Sequence, residues 1–224
     1  MRRKLSALLV ILAMIGALLT GCYAEVERGI EIKGDDKFTF KAIVYMTEAS
    51  IVQEYGSIEE FNKAAHAGLE KEIGKDKLAG WTTRETAMIR NGITWCGYGI
   101  YKDFTLSELQ AFFDSYTKYG KINISMSGFI VKEFKVNITA NSTARQEEGD
   151  GLAALIADGG SDFFSIHPPY TLQEHNGTPG NRLISDEVIW NLNSLADGTQ
   201  STMELKITYL NMPVILFGAF AAGG

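Results

Sequence analysis

Glu25-Val26-Glu27-Arg28-Gly29-Ile30-Glu31-Ile32-Lys33, then Gly34-Asp35-Asp36-Lys37, then Phe38-Thr39-Phe40-Lys41-Ala42-Ile43-Val44-Tyr45-Met46: this stretch decides the fold. In its first part Val26, Arg28, Ile30 and Ile32 fall on one side of a period-two pattern. In its last part Phe38, Phe40, Ala42, Val44 and Met46 do the same. Alternation sends successive side chains to opposite faces of a strand. Two such runs around a Gly/Asp turn predict a β-hairpin.

Towards the C-terminus the pattern changes period. Ser57-Ile58-Glu59-Glu60 is a capping box, in which the Ser hydroxyl and the Glu carboxylate satisfy orphan N–H groups of a helix start. Behind it Ile58, Phe61, Ala65, Leu69 and Ile73 recur at helical spacing, which predicts an amphipathic helix ending near Gly74. Asn91-Gly92 separates two apolar runs, 80–90 and 93–104, and predicts a second hairpin. Thr105-Leu106-Ser107-Glu108 is a second capping box, followed by Leu106, Leu109, Phe112, Phe113 and Tyr116 on a short apolar helix, 106–116.

Further strands are expected at 122–126 and 129–140, with a bulge where the parity slips between Val131 and Phe134. Residues 141–151 are polar and read as loop; 152–156 suit one helical turn. Pro168-Pro169 interrupts the run 163–172, which predicts a strand at the sheet edge. Val188, Trp190 and Leu192 alternate, as do Met203, Leu205, Ile207 and Tyr209. Hairpins outnumber any βαβ pattern. The expected fold is therefore α+β, a mostly antiparallel sheet with two helices packed on one face.

The N-terminus follows different rules. Arg2, Arg3 and Lys4 precede an apolar run, 5–19, that ends in Leu19-Thr20-Gly21-Cys22. A basic start and a short apolar core make an export signal rather than a folded segment. Small residues before a cysteine match the bacterial lipobox, so residues 1–21 are expected to be removed and Cys22 to carry the acyl anchor. The run is shorter than the roughly 20 residues a membrane span needs. Such a protein sits on the extracytoplasmic face of the cell membrane. The domain proper then covers 22–210. Residues 211–224 form an apolar tail without charge, read as the front of a transmembrane helix or as a tail packed on the domain.

Charge excludes one partner class. The chain has 21 basic and 27 acidic residues. Without the three N-terminal cations the imbalance grows. Nothing in it gives the basic footprint of a nucleic-acid binder. Acyl chains rather than a basic patch must hold it to an anionic membrane.

Catalytic chemistry is sparse. With Cys22 acylated, Cys96 is left alone in Thr94-Trp95-Cys96-Gly97-Tyr98, which suits a small buried hydrophobe better than a nucleophile lacking a His partner. His66, His167 and His175 stand in no metal-ligand frame, although the last two could meet across a hairpin. Asp150, Asp158 and Asp162 among glycines lack the twelve-residue calcium pattern. Glu59-Glu60 and Glu147-Glu148 are consecutive rather than paired across a site. No nucleophile elbow or phosphate loop is present. No metal, cofactor or enzymatic activity is expected.

The lipobox at Cys22, the two alternating strands around Gly-Asp-Asp, the strand-into-capped-helix 93–109, and Leu183-Ile184-Ser185-Asp186-Glu187-Val188-Ile189-Trp190-Asn191-Leu192 before an apolar C-terminus together resemble the LppM-domain lipoproteins of bacterial envelopes. The resemblance implies an anchored α+β domain with a lipid or glycolipid ligand and no catalysis. Those proteins often carry a C-terminal transmembrane helix, which the short tail here does not complete. Trp95, Tyr98, Tyr101, Phe104, Phe112 and Phe113 are the candidate ligand-binding residues, lining a pocket between the sheet and the helix 106–116. The competing reading makes the domain a scaffold that docks a membrane-protein partner, with the same aromatics as ordinary core.

Overall fold

The structure, a computed structural model, describes residues 24–34, 36–73, 80–90, 92–115, 120–140, 161–180, 186–196 and 198–216. The expected signal segment, Cys22, residues 141–160 and the end of the tail lie outside them.

The opening stretch forms β1 (Ala24–Gly34) and β2 (Lys37–Thr47), antiparallel, with Val26 opposite Val44 and Ile30 opposite Phe40. The second hairpin is β3 (Thr82–Arg90) and β4 (Ile93–Phe104), closed by Gly92 at φ 76°. Next come β5 (Gly120–Ser127), β6 (Val131–Ala140), β7 (Ser161–His167), β8 (Leu172–His175), β9 (Thr178–Pro179), β10 (Val188–Asn191) and β11 (Thr202–Leu210). The described helices are α1 (Glu48–Tyr55), α2 (Ile58–Ile73), α3 (Leu106–Asp114) and the single turn α4 (Asn193–Ala196), with a further helical turn over 212–216.

The strands make two sheets, one ordered β3-β4-β2-β1-β7-β10-β9 and the other β5-β6-β11-β8. Every described pairing is antiparallel except β1 with β7. The α+β class and the antiparallel bias agree with the sequence; the division into two sheets was not foreseen. The sheets share one core. Phe38 of β2 stacks on Phe134 of β6 with ring centres 5.7 Å apart. Ile51, Phe61, Leu109 and Phe113 of the three longer helices join the same cluster as Val26, Ile30, Val136 and Ile207. Two short junctions tie the layers. Asn176, between β8 and β9, accepts from Trp190 Nε1 at 3.0 Å and from the Lys206 backbone at 2.9 Å. Gln110 of α3 donates to the Ile122 carbonyl and accepts from the Ile124 N–H, pairing backbone groups on the β5 edge.

Three expectations are corrected. β7 is an interior strand, paired on both sides, because Pro168 and Pro169 follow its last residue and remove no ladder hydrogen bond. The bulge in 129–140 is absent: β6 keeps an unbroken register with both neighbours, and Phe129 and Val131 lie outside the core face. Helix α1 was not foreseen. Thr47 caps it by accepting from the Ser50 N–H, and its Ile51 is buried.

Candidate functional site

The chemistry of β4 follows from its alternation. Cys96, Tyr98, Ile100, Lys102 and Phe104 share the register, and hence the face, of Met46, Val44, Ala42, Phe40 and Phe38. That face meets the helices and the second sheet. Trp95, Gly97, Gly99, Tyr101 and Asp103 point the other way.

The six sequence-selected aromatics are therefore divided. Phe104 joins Phe112 and Phe113 of α3, at centroid separations of 5.3 Å and 5.5 Å along the chain of contacts. Phe40 and Trp81, which sequence reasoning missed, complete the group: Phe40 lies 5.4 Å from Phe112 and 5.6 Å from Phe113, and Trp81 lies 5.8 Å from Phe112. Phe40 and Phe113 are buried, whereas Trp81, Phe104 and Phe112 are half-buried, so the cluster grades from core to surface. The Lys102 ammonium stands 5.3 Å from the Phe104 ring centre and 5.6 Å from that of Trp81. Such cation–π geometry holds a charge beside an apolar surface.

Tyr98 sits apart, its hydroxyl 2.6 Å from His66 Nδ1 on α2. Trp95 and Tyr101 lie on the opposite face, in a second cluster with Ile43, Tyr45 and Phe163; Arg84 covers Tyr101 at 4.8 Å. A single pocket cannot use all six, because neighbours at odd spacing on a strand face opposite sides. The signal for Phe40 was available, since it shares its strand's face with Phe38.

Helix α3 is fixed where the cluster needs it. Thr105 and Glu108 make the reciprocal capping box that the sequence announced. The Leu106 N–H donates to Asp36 Oδ1 at 2.8 Å, so the β1–β2 turn caps the same helix. The Thr105 backbone N–H and hydroxyl hold the Glu108 carboxyl below its ordinary range.

The opposite face of the large sheet carries a buried charge network. Lys41 bridges Glu27 and Glu187, the latter at 3.0 Å. Ser165 Oγ donates to Glu27 Oε1 at 2.6 Å and Tyr45 donates to Glu27 Oε2 at 2.9 Å. Gly29 makes room for it, since a Cβ there would stand 2.2 Å from Ser165 Oγ. On the core face Arg28 pairs with Asp162 of β7, which commits that aspartate to an ion pair; burial pushes its carboxyl up while Arg28 pulls it down. The remaining candidates are accounted for in the same way. Burial pushes the Cys96 thiol up, away from the reactive thiolate form, and Glu48 adds to the shift. His167 and His175 end strands of different sheets. Among the described residues no three His, Cys, Asp or Glu side chains group as metal ligands. Asp150 and Asp158 lie outside the described residues.

No protein-family model and no curated protein matches the chain. Among solved structures it is similar to the folded domain of LppM from Mycobacterium tuberculosis, determined by NMR. Identity is 12%, the TM-score is 0.38, and the match covers 85% of this chain and 91% of that one.

Among the described residues no helix is long and apolar enough to cross a membrane. Residues 212–216 are helical and the remainder of the expected C-terminal span, 217–224, lies outside the described residues.

Proposed function

We propose that the chain is a cell-envelope lipoprotein, anchored through acyl chains on Cys22, whose α+β domain binds a lipid or another apolar ligand and catalyses no reaction. The observation that carries the ligand reading is the graded cluster Phe40, Trp81, Phe104, Phe112 and Phe113 under the Lys102 ammonium. Apolar, aromatic walls with few polar groups are what small-molecule sites are made of. An acyl chain suits the rings and an anionic headgroup suits the ammonium. The anchor rests on the sequence, on the basic start, the apolar run and Leu19-Thr20-Gly21-Cys22. Two or three chains on Cys22 give stable attachment where one alone is marginal.

The second reading is a scaffold that docks a membrane-protein partner. Full burial of Phe40 and Phe113 supports it, because those two rings serve as core whether or not a ligand exists. The experiment that separates the two extracts the protein from membranes in mild detergent and weighs it by native mass spectrometry. The ligand reading expects a bound lipid that is depleted in Phe112→Ala and, if anionic, in Lys102→Gln. A protein without co-purifying lipid and without saturable uptake of an apolar probe leaves only the docking reading.

A further inference from the structure

The most exposed apolar side chains are not in the aromatic cluster. Ile89 and Ile93 flank the β3–β4 turn, and three consecutive ones stand at the turn between β5 and β6, where Phe129 is 71% and Ile130 54% exposed, with Val131 beside them. Gly128, at φ 89°, reverses the chain there, and a Cβ at that position would stand 2.0 Å from the Val131 carbonyl oxygen. The turn carries the three apolar residues beyond the face on which Phe134, Val136 and Ile138 enter the core.

A second segment joins them. Asn211, itself buried, donates its backbone N–H to the Ile130 carbonyl at 2.7 Å and its side-chain amide to the Phe129 carbonyl at 3.1 Å. The helical turn 212–216 starts at this clamp and adds exposed Met212 and Leu216. The sequence continues through Gly224 without a charge.

We infer that the 129–131 turn, together with the start of the tail, is a wedge that enters the interfacial layer of a lipid bilayer. Two observations favour lipid over a protein surface. In hydrocarbon, unpaired backbone carbonyls are costly, and Asn211 already pairs those of Phe129 and Ile130. The clamp also ties the wedge to the uncharged stretch of the chain, so a bilayer that takes one meets the other. The inference shares the membrane setting of the proposed function but needs neither acylated Cys22 nor a ligand in the aromatic cluster. Five exposed apolar side chains of two segments at one end of a domain mark an interaction site.

The test places a fluorophore on the wedge. In the full chain carrying Cys22→Ser and Cys96→Ala, Ile130→Cys is labelled with nitrobenzoxadiazole. Ile89→Cys, near the end of β3 and more exposed than Ile130, serves as the comparison. Each protein is reconstituted in phosphatidylcholine–phosphatidylglycerol vesicles with brominated acyl chains. The wedge predicts a blue shift and bromine quenching at position 130 and neither at position 89. Position 130 in water, or equal quenching at both, overturns it. So does 130-to-130 disulfide crosslinking without quenching, which makes a second copy the occupant. Because both sites are exposed, melting curves should match the parent's; should Ile130→Cys melt early, Phe129→Cys gives the same reading. An unacylated chain that still quenches at 130 separates failure of the lipobox from failure of the wedge.

Discussion

Gly29→Ala tests how the buried charges are accommodated. The new methyl would stand 2.2 Å from Ser165 Oγ, 2.7 Å from Lys41 Cε and 2.9 Å from the Ser165 carbonyl oxygen. Non-bonded heavy atoms settle near roughly 3.5 Å, so the hydroxyl has to retreat by about 1 Å. Its 2.6 Å hydrogen bond to Glu27 does not survive that shift. Overpacking costs about 1–3 kcal/mol, and the lost bond to a charged group about 1.5–3 kcal/mol. Relief of the glycine's strand penalty offsets roughly 0.5–1 kcal/mol. The net expectation is a destabilisation of about 3 kcal/mol, or about 6–12 °C in Tm for a chain of this size.

Urea unfolding followed by circular dichroism supplies the number, and a cycle with Ser165→Ala supplies the cause. Removing the hydroxyl removes the closest clash, so Gly29→Ala should cost at least about 1 kcal/mol less in the Ser165→Ala background. The remaining carbonyl contact keeps that cost above zero. A Gly29→Ala protein within about 0.5 kcal/mol of the parent, or strict additivity with Ser165→Ala, would falsify the account of this network.

Thr105→Ala removes the side-chain cap that starts α3 and should destabilise the domain by about 1 kcal/mol; an unchanged midpoint would show that Asp36 alone suffices. Cys22→Ala should block acylation and leave unprocessed precursor, read as slower migration and lost incorporation of radiolabelled palmitate; normal processing would remove the lipobox reading. Lys206, then Lys135, hold the Glu133 carboxyl below its ordinary 4.5. A depressed carboxyl contributes stability that is complete above the unfolded value and lost as pH falls through the folded one. Glu133→Gln should therefore flatten the stability profile below about pH 4.5 and leave it parallel to the parent's near neutrality; an unchanged acid limb would show that the lysines do not act on it.

The hairpins, the capping box at Thr105 and the Ser57 hydroxyl cap on the Glu60 N–H were legible because their signals are local. Alternation around Gly34-Asp35-Asp36 and the Asn91-Gly92 turn specify strand pairs without reference to distant residues. The parallel pairing of β1 with β7 joins residues more than a hundred positions apart, and no local pattern encodes it. The prolines after β7 resembled an interruption because the strand's end was not visible from composition. In the candidate site, Phe104, Phe112 and Phe113 lie together because α3 follows β4 directly. Trp95 and Tyr101 were included because an aromatic-rich strand was counted whole, although its parity already separates them from Tyr98 and Phe104. Trp81 was missed because it precedes its strand, and only the tertiary fold brings it onto Phe112. The charge network at Glu27, Lys41 and Glu187 was hidden because isolated charges in alternating strands read as solvent-facing.

Trp81 gives the most direct access to the central claim, since its ring packs on Phe112, while Trp95 lies in the cluster on the opposite face and Trp190 donates to Asn176 at the β8–β9 junction. Tryptophan emission is followed while a brominated fatty acid is titrated into the detergent-solubilised protein below its micellar concentration. The account predicts saturable quenching in the parent and its loss in Trp81→Phe, with Lys102→Gln shifting half-saturation to higher fatty-acid concentration. Linear, unsaturable quenching in the parent, or saturation that persists in Trp81→Phe, would contradict ligand binding at this cluster.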